Sequence, residues 1–238
     1  MKILSWLVGK NADIVGVVLN PMETRKFGKE IVEISGLPKN QIFTAEDLMD
    51  TDKINLIKNL KPDLGLSVFH SSILQENFIS IFKDGIINLH TSLLPYNRGA
   101  YPNVWSIIDQ TPSGVTIHYI DEGLDTGNII AQEEVVVEPT DTGQSLYLKL
   151  EDKLIQLFKN TWCQIQAGSL ISRQQEKEYG TYHNRSDVDL IDEIDLNKKY
   201  LAKDLINIIR ARTFPPNKGT YFIKNGKKIY ININLERE

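Results

Sequence analysis

The stretch INLHTSLLPYNRG, residues 87–99, begins as an apolar run and then breaks into proline and glycine. In a strand, residues two apart face the same side, so Asn88 and His90 are expected to project together while Leu89 points away. Ligands of open α/β sheets bind at the carboxyl ends of the strands. The sequence therefore predicts that this polar pair lies in a ligand crevice, beside a loop that presents backbone amides.

Apolar runs bounded by Gly, Pro or Asp predict further strands on both sides of this stretch. Helical spacing lies between them, with Thr51 as the expected N-cap of one helix and Gly168 as the end of a long amphipathic one. Strands alternating with helices predict an α/β, Rossmann-like fold with a mostly parallel central sheet. The strands are expected within residues 12–21, 62–70, 85–90, 113–121 and 127–139, and the helices within 51–60, 101–110 and 141–168.

The two ends of the chain depart from this alternation. The chain begins with a helical pattern at residues 2–10, whereas a βαβ unit begins with a strand. We therefore expect that the first strand of the sheet is missing, through a start assigned downstream or a real truncation. At the other end, a helix and a hairpin around Asn225-Gly226 predict a small appendage at 181–238, after a catalytic domain at 1–180.

Composition excludes several classes of protein. The chain has 238 residues, is 41% hydrophobic and carries a net charge of -4, although ten Lys and Arg against three acidic residues follow Asn197. It shows no signal-peptide pattern and no run of membrane-spanning length. A single cysteine, Cys163, forms no intramolecular disulfide, and the four histidines lack ligand spacing. We predict a cytoplasmic protein without a structural metal.

A second loop, DEGLDTG, places Asp125 between two glycines that let the backbone approach a ligand closely. An amide, an imidazole and a carboxylate on two loops of one sheet could run acyl transfer between an amine and a carbonyl. A satisfied structural histidine and ordinary turn chemistry at the aspartate are the alternative interpretation of the same residues.

Two stretches, NLHTSLLPYNRGAYPNVWSI and SGVTIHYIDEGLDTGNIIAQ, resemble the formyltransferases that use 10-formyltetrahydrofolate. The pattern of that family is Asn-x-His, a Ser-Leu-Leu-Pro turn and Asp-x-Gly downstream. The resemblance implies that Asn88, His90 and Asp125 are catalytic. The substrate amine would attack the formyl carbon, with Asn88 and His90 stabilising the oxyanion. Asp125 would keep the imidazole poised and relay the proton.

The same resemblance implies where the folate cosubstrate binds. In the family the pterin lies against the Leu-Leu-Pro turn and the loop that corresponds to residues 119–125. The implied cosubstrate-binding residues are Leu93, Leu94, Pro95, Tyr119, Asp121, Gly123 and Leu124.

Members of the family differ in the amine that they formylate. Glycinamide ribonucleotide enzymes carry a Gly-rich phosphate loop that this sequence lacks, and methionyl-tRNA formyltransferase carries a full barrel domain after its catalytic domain. In length and in the segment from YGTYHNRSDVD to FPPNKGTYF, the chain is similar to small nucleotide-sugar N-formyltransferases. We expect formylation of a nucleotide-linked amino sugar, such as dTDP-4-amino-4,6-dideoxyglucose, for a cell-surface polysaccharide such as lipopolysaccharide O-antigen.

Such a substrate needs cations for its pyrophosphate and an aromatic surface for its base. The residues expected to bind it are Arg98, Gly99, Tyr182, His183 and Arg185, with Lys26, Lys29, Tyr221 and Phe222 as further candidates. Trp105 is expected in the core.

Two other functions stay open: a methionyl-tRNA formyltransferase, and a truncated, inactive member of the family that binds folate. We expect neither a membrane nor a nucleic acid as partner of the preferred enzyme. A homodimer is expected through an apolar face of the hairpin. The side chains of this face are Tyr221, Ile223, Ile229, Ile231 and Ile233.

Overall fold

The computed structural model describes residues 1–176 and 179–238. It confirms the predicted α/β fold, with a mostly parallel central sheet and a C-terminal hairpin. The chain forms two compact units. Unit 1 comprises residues 1–89 and 119–123, and unit 2 comprises residues 90–118 and 124–238. The domain boundary expected between residues 180 and 181 stays a prediction. Residues 177 and 178, just before it, lie outside the described part of the chain.

Unit 1 contains the first helices and strands. They are α1 (Lys2–Gly9), β1 (Val17–Leu19), α2 (Gly28–Ser35), β2 (Ile42–Thr44), α3 (Thr51–Asn59), β3 (Gly65–Val68), α4 (Glu76–Ile79) and β4 (Ile86–His90), whose last residue belongs to unit 2. Strands β1 and β2 pair in parallel, and so do β3 and β4. A cluster of buried apolar side chains forms the core: Phe43, Leu48, Ile57, Phe78 and Ile86.

The N-cap predicted for α3 is wrong by one residue. The Asp50 carboxylate, and not Thr51, accepts hydrogen bonds from the backbone N–H groups of Asp52 and Lys53. Aspartate serves this position well because its charge is also stabilised by the helix dipole. Helix α2 and strand β2 were not predicted, since each is short and the apolar periodicity of α2 spans barely two turns.

Unit 2 contains the remaining elements. They are β5 (Arg98–Gly99), α5 (Pro102–Ile108), β6 (Gly114–Tyr119), whose last residue belongs to unit 1, β7 (Ile129–Glu134), α6 (Gly143–Gln166), β8 (Tyr182–His183), α7 (Ala202–Arg212), β9 (Tyr221–Lys224) and β10 (Lys227–Tyr230). Strands β6 and β7 are antiparallel, and the two-residue strands β5 and β8 are parallel. No helix among the described residues has the length and apolarity that crossing a membrane requires.

Helix α6 follows its sequence pattern closely. A capping box at Thr142 begins it, and Gly168, with φ of 59°, lies just beyond its end as predicted. Its apolar stripe is fully buried, at Leu146, Leu150, Leu154 and Phe158.

Helix α7 is anchored to the start of α6. The Arg210 guanidinium is only 8% exposed and donates hydrogen bonds to the carbonyl oxygens of Glu138 and Asp141, at 3.1 and 2.9 Å. Burial lowers the pKa of Arg210, and the Asp141 carboxylate opposes that shift. A side chain on Gly143 would collide with the carbonyl oxygen of Ala211. The two helices therefore pack with their backbones in direct contact.

The hairpin does not present the single apolar face that the sequence suggested. Its register pairs Phe222 with Ile229 and Tyr221 with Tyr230, so Tyr221 and Ile223 share one face while Ile229 lies on the other. Side chains alternate across a strand, and directly paired residues share a face. Both faces carry exposed apolar groups, at Ile223 (47%) and Ile229 (41%).

Candidate active site

Three side chains of unit 2 form a cluster around one carboxylate. Oδ2 of Asp125 lies 3.7 Å from Nε2 of His90, and Oδ1 lies 3.6 Å from Nε2 of His118. The imidazole rings are perpendicular, with centroids 6.0 Å apart. The distances exceed those of hydrogen bonds, as catalytic contacts often do before substrate binds. Nε2 of His90 is buried without a hydrogen-bond partner among the described residues, which suits a group that exchanges protons with a substrate.

Asp125 is held from a third side by the backbone of β5. The N–H of Gly99 donates to Oδ2 of Asp125 at 2.9 Å. Gly99 has φ of 89°, and a side chain there would collide with the carbonyl oxygen of His183. Strand β8 can therefore pair this closely with β5 only because residue 99 is a glycine. The close pairing directs the N–H of Gly99 toward the Asp125 carboxylate.

A buried threonine and a half-buried glutamine shape the loop that follows His90. Thr116 Oγ1 donates to the carbonyl oxygen of Ser92 at 2.7 Å and accepts from the N–H of Leu94 at 3.2 Å. The side-chain amide of Gln132 donates to the carbonyl oxygen of Leu94 and to Oγ1 of Thr116, each at 2.8 Å. These polar atoms satisfy the backbone of a buried turn.

The residues of this loop that are expected to bind folate differ in how far they are exposed to solvent. Leu94 is 2% exposed and Leu93 is half-buried, with its side chain close to Gly114. The peptide bond between Leu94 and Pro95 is cis. Leu124, next to Asp125, is 42% exposed, so Leu93 and Leu124 offer apolar surface in this unit.

Unit 1 contains the other candidates for catalysis and folate binding. Asn88 lies on β4, in register with Ser67 of β3. Burial and the Asp84 carboxylate raise the pKa of Tyr119, so its phenol remains protonated near neutral pH. Asp121 is exposed and accepts a hydrogen bond from the N–H of Gly123 at 3.1 Å, which stabilises the turn.

The residues expected to bind the acceptor meet around β5 and β8. The imidazole of His183 stacks on Trp105, with ring centroids 4.0 Å apart, and its Nε2 lies 3.0 Å from Oδ2 of Asp109. Trp105 is 6% exposed, which confirms its place in the core. Tyr182 is exposed and donates to Oδ1 of Asn184 at 2.6 Å. The Arg98 guanidinium packs against Gly180.

A cavity of about 600 Å³, shallow and wide open to solvent, lies beside these residues. It is lined by Tyr101, Asn184, Arg185, Ser186, Val188, Asp189 and Arg212. Hydrogen bonds to the Asp192 carboxylate raise the pKa of Arg212 and commit much of its charge, whereas Arg185 is exposed. Arg185 is thus the cation of the cavity that is most available to an anionic ligand.

The other acceptor candidates lie elsewhere in their units. Lys26 and Lys29 are exposed in the segment from β1 into α2 of unit 1. Tyr221 and Phe222 lie on the hairpin of unit 2, where the Tyr221 hydroxyl and Oε2 of Glu193 are 3.1 Å apart.

The sequence did not single out two histidines. His118 is 1% exposed on β6, and a histidine in an otherwise continuous buried strand requires a polar partner, which was the available clue. His70 follows β3 in unit 1, and burial lowers its pKa, so its imidazole is neutral near pH 7. Among the residues that the structure describes, no group of three His, Cys, Asp or Glu side chains could hold a metal ion.

Comparison with known families agrees with this geometry. Residues 7–161 match the family described as Formyl transferase, and residues 187–237 match the N-formyltransferase dimerization C-terminal domain. The chain therefore belongs to the formyltransferase family of one-carbon group transferases. Its second match makes it an N-formyltransferase.

Individual relatives divide between two acceptors. The chain is 32% identical to methionyl-tRNA formyltransferase of Alkaliphilus oremlandii, covering 99% of this chain and 77% of the relative. It is 35% identical to dTDP-4-amino-4,6-dideoxyglucose formyltransferase of Mycobacterium tuberculosis, covering 74% of each.

Solved structures resemble the chain as well. A 4-N formyltransferase from Francisella tularensis has a TM-score of 0.85 and 30% identity, over 100% of this chain and 94% of that one. The formyltransferase PseJ from Anoxybacillus kamchatkensis, in complex with UDP-4,6-dideoxy-4-formamido-L-AltNAc and tetrahydrofolate, has a TM-score of 0.58 and 35% identity. That match covers 73% of this chain and 87% of PseJ.

Proposed function

We propose that the chain transfers a formyl group from 10-formyltetrahydrofolate to the amine of a nucleotide-linked amino sugar such as dTDP-4-amino-4,6-dideoxyglucose. The observation that carries the proposal is the cavity lined by Arg185, in the same unit as the His90 and Asp125 pair. The relatives that act on nucleotide sugars and the PseJ complex support it. The cytoplasmic location and a role in cell-surface polysaccharide remain predictions.

The cavity and the Asp125 carboxylate are connected by a short stretch of chain, which supports one substrate that occupies both. Tyr101, which lines the cavity, is two residues from Gly99, whose N–H binds Asp125. Two residues span at most about 7 Å. A sugar joined to its nucleotide by a pyrophosphate is long enough to reach from the cavity to the carboxylate. The pyrophosphate would pair with Arg185.

The proposed chemistry is direct transfer. The acceptor amine attacks the formyl carbon, a new C–N bond forms, and the bond from that carbon to N10 of the folate breaks. Asn88 and His90 stabilise the oxyanion of the tetrahedral intermediate. Asp125 holds the imidazole and receives the proton that the amine loses, while N10 takes up a proton as it leaves. His118, on the other side of Asp125, fixes the carboxylate in place.

For the cosubstrate, each unit offers suitable groups. In unit 2 the half-buried Leu93 and the exposed Leu124 supply apolar contacts for an aromatic pterin. In unit 1 the exposed Asp121 carboxylate accepts hydrogen bonds of the kind that a pterin amino group donates.

Transfer to methionyl-tRNA is a second candidate function, because that relative aligns along 99% of the chain. The basic residues after Asn197 would favour an RNA partner. The cavity and the likeness to PseJ, solved with a UDP-linked formamido sugar, favour the sugar nucleotide.

The test offers 10-formyltetrahydrofolate with a panel of dTDP-amino sugars and, separately, with methionyl-tRNA. We expect transfer to a sugar nucleotide. In Arg185→Ala the KM for that acceptor should rise about tenfold, the effect of losing one exposed ionic hydrogen bond of about 1.4 kcal/mol. The KM for folate should not change.

Lys199→Ala removes one exposed positive charge outside the cavity and is the matched control. Transfer to tRNA alone would reject the proposed acceptor. Folate binding without transfer to any acceptor would favour the inactive, folate-binding protein.

We also propose a homodimer through the hairpin, supported by the dimerization match over residues 187–237. Ile229→Asp places a charge in the exposed apolar face formed with Phe222, and it should shift the molecular mass measured by light scattering from dimer to monomer. Met49→Asp is the control, because Met49 is an exposed apolar side chain of unit 1. A monomeric wild type at micromolar concentration would contradict the proposal.

A further inference from the structure

The segment after α6, residues 172–176, returns to the catalytic loops of unit 2. Arg173 forms an antiparallel bridge with Ile129, with backbone hydrogen bonds of 2.8 and 2.9 Å. Its guanidinium donates to Oε1 of Gln132, whose amide group in turn donates to the carbonyl oxygen of Leu94. We call residues 172–176 the return segment. These side chains link it to the turn after His90.

Within the return segment, Gln175 is 8% exposed while its neighbour Gln174 is exposed. Nε2 of Gln175 donates to the carbonyl oxygens of Asp125 and Gly127, each at 2.8 Å. One side-chain amide thus fixes two peptide planes, the one that follows Asp125 and the one that follows Gly127. Its Oε1 is buried without a hydrogen-bond partner among the described residues. The orientation that makes both hydrogen bonds from Nε2 thus leaves the amide oxygen unpaired, at a cost in free energy.

Asp125 needs such support because its backbone is strained. Its φ is 52°, a left-handed conformation that costs a residue other than glycine about 1–3 kcal/mol. Relaxation of the loop would rotate the Cα–Cβ bond and move a carboxylate that lies 3.6 to 3.7 Å from two imidazoles. Misplacement of a catalytic group by about 1 Å can cost about 10²-fold in rate.

We propose that Gln175 is a positioning residue, which holds the loop of Asp125 in its catalytic conformation through two hydrogen bonds to the backbone. The inference rests on the proposed role of Asp125 in formyl transfer. Gln175 acts on kcat by fixing the direction of the carboxylate, and it touches neither the acceptor nor the folate.

The test compares Gln175→Glu with Gln174→Glu in the full chain, using 10-formyltetrahydrofolate and the acceptor that the wild type formylates. At pH 8 the carboxylate introduced by Gln175→Glu would face two carbonyl oxygens with no proton to donate. We expect kcat to fall about 10- to 100-fold with KM within about threefold of wild type. The Gln174→Glu variant should keep wild-type kcat.

The pH profile separates positioning from a general loss of structure. Facing two acceptors raises the pKa of the introduced carboxyl, and its protonated form donates one hydrogen bond. The kcat deficit relative to wild type should therefore shrink as pH falls from about 8 to about 6. A deficit that does not change with pH, or a kcat within about twofold of wild type at the higher pH, would overturn the proposal.

Hydrogen exchange supplies a readout independent of activity. Backbone amides of residues 121–128 should exchange faster in Gln175→Glu than in Gln174→Glu, and equal rates would overturn the proposal. If the wild type formylates no acceptor, the proposed function fails, while the exchange result still decides whether Gln175 holds the loop. If Gln175→Glu does not fold, Gln175→Asn keeps an amide one methylene shorter and should lose at least about threefold in kcat. Wild-type kcat in that variant would contradict the inference.

Discussion

Replacement of Asp125 by asparagine should lower kcat for formyl transfer by about 10²- to 10³-fold, the range expected for loss of a general acid or base. Asparagine preserves shape, and its oxygen can still accept the hydrogen bond from the N–H of Gly99. What it removes is the negative charge between His90 and His118. The proton that the substrate amine loses then has no carboxylate to receive it. The imidazole of His90 also loses the negative charge beside it.

The loss should appear in kcat while the KM for folate stays within a few fold, because Asp125 acts on the reacting atoms in the proposed mechanism. Glu122→Gln removes an exposed carboxylate from the same loop and should leave kcat unchanged. Stopped-flow measurement of a single turnover would check that the slow step is the transfer itself. A wild-type kcat in Asp125→Asn would remove this residue from the mechanism.

Replacement of Gly99 by alanine should have the second largest effect, on both stability and activity. The left-handed backbone, with φ of 89°, costs alanine about 1–2 kcal/mol. The new methyl group would also collide with the carbonyl oxygen of His183, which adds about 1–3 kcal/mol of overpacking. Separation of β5 from β8 would withdraw the N–H that holds Asp125, so kcat should fall at least about tenfold.

Gly36→Ala distinguishes backbone strain from collision. Gly36 also has a positive φ, of 63°, but the space around it is open. It should lose about 1–2 kcal/mol in denaturant unfolding and retain wild-type kcat. If Gly99→Ala lost no more stability than Gly36→Ala and kept full activity, the close pairing of β5 with β8 would not matter to the site.

The elements with strong local patterns were predictable. Helix α6 shows its apolar period and both of its ends in the sequence, and Asn225-Gly226 specifies the hairpin. Two-residue strands such as β5 and β8 have no period to detect, because their partners lie far apart in the chain and pair through tertiary structure. The faces of the hairpin were misjudged although the sequence contains its register. The two-residue turn at Asn225-Gly226 pairs Lys224 with Lys227, which places Tyr221 and Ile223 on the face opposite to Ile229.

The candidate site was predictable in its residue types but not in its supports. His90 and Asp125 stand out because they end an apolar run and occupy a glycine-flanked turn. The carboxylate is also contacted by His118, and its loop is held by Gln175, which lies 50 residues further along the chain. Hydrogen bonds from glutamine to backbone carbonyls leave no pattern in a single sequence, since any buried amide of suitable reach could make them.

The anchoring of α7 by Arg210 bears on how acceptor preference could be exchanged between relatives by recombination. A crossover between α6 and α7 would place the buried guanidinium opposite a carbonyl loop, residues 138–141, taken from another parent. A loop of different conformation would leave the buried cation without these carbonyl acceptors, which is costly, so such chimeras should fold less often. A crossover placed beyond α7 keeps Arg210 with its own acceptors and transplants the hairpin alone. In libraries recombined from related genes, folded chimeras should therefore have their crossover after α7 far more often than between α6 and α7.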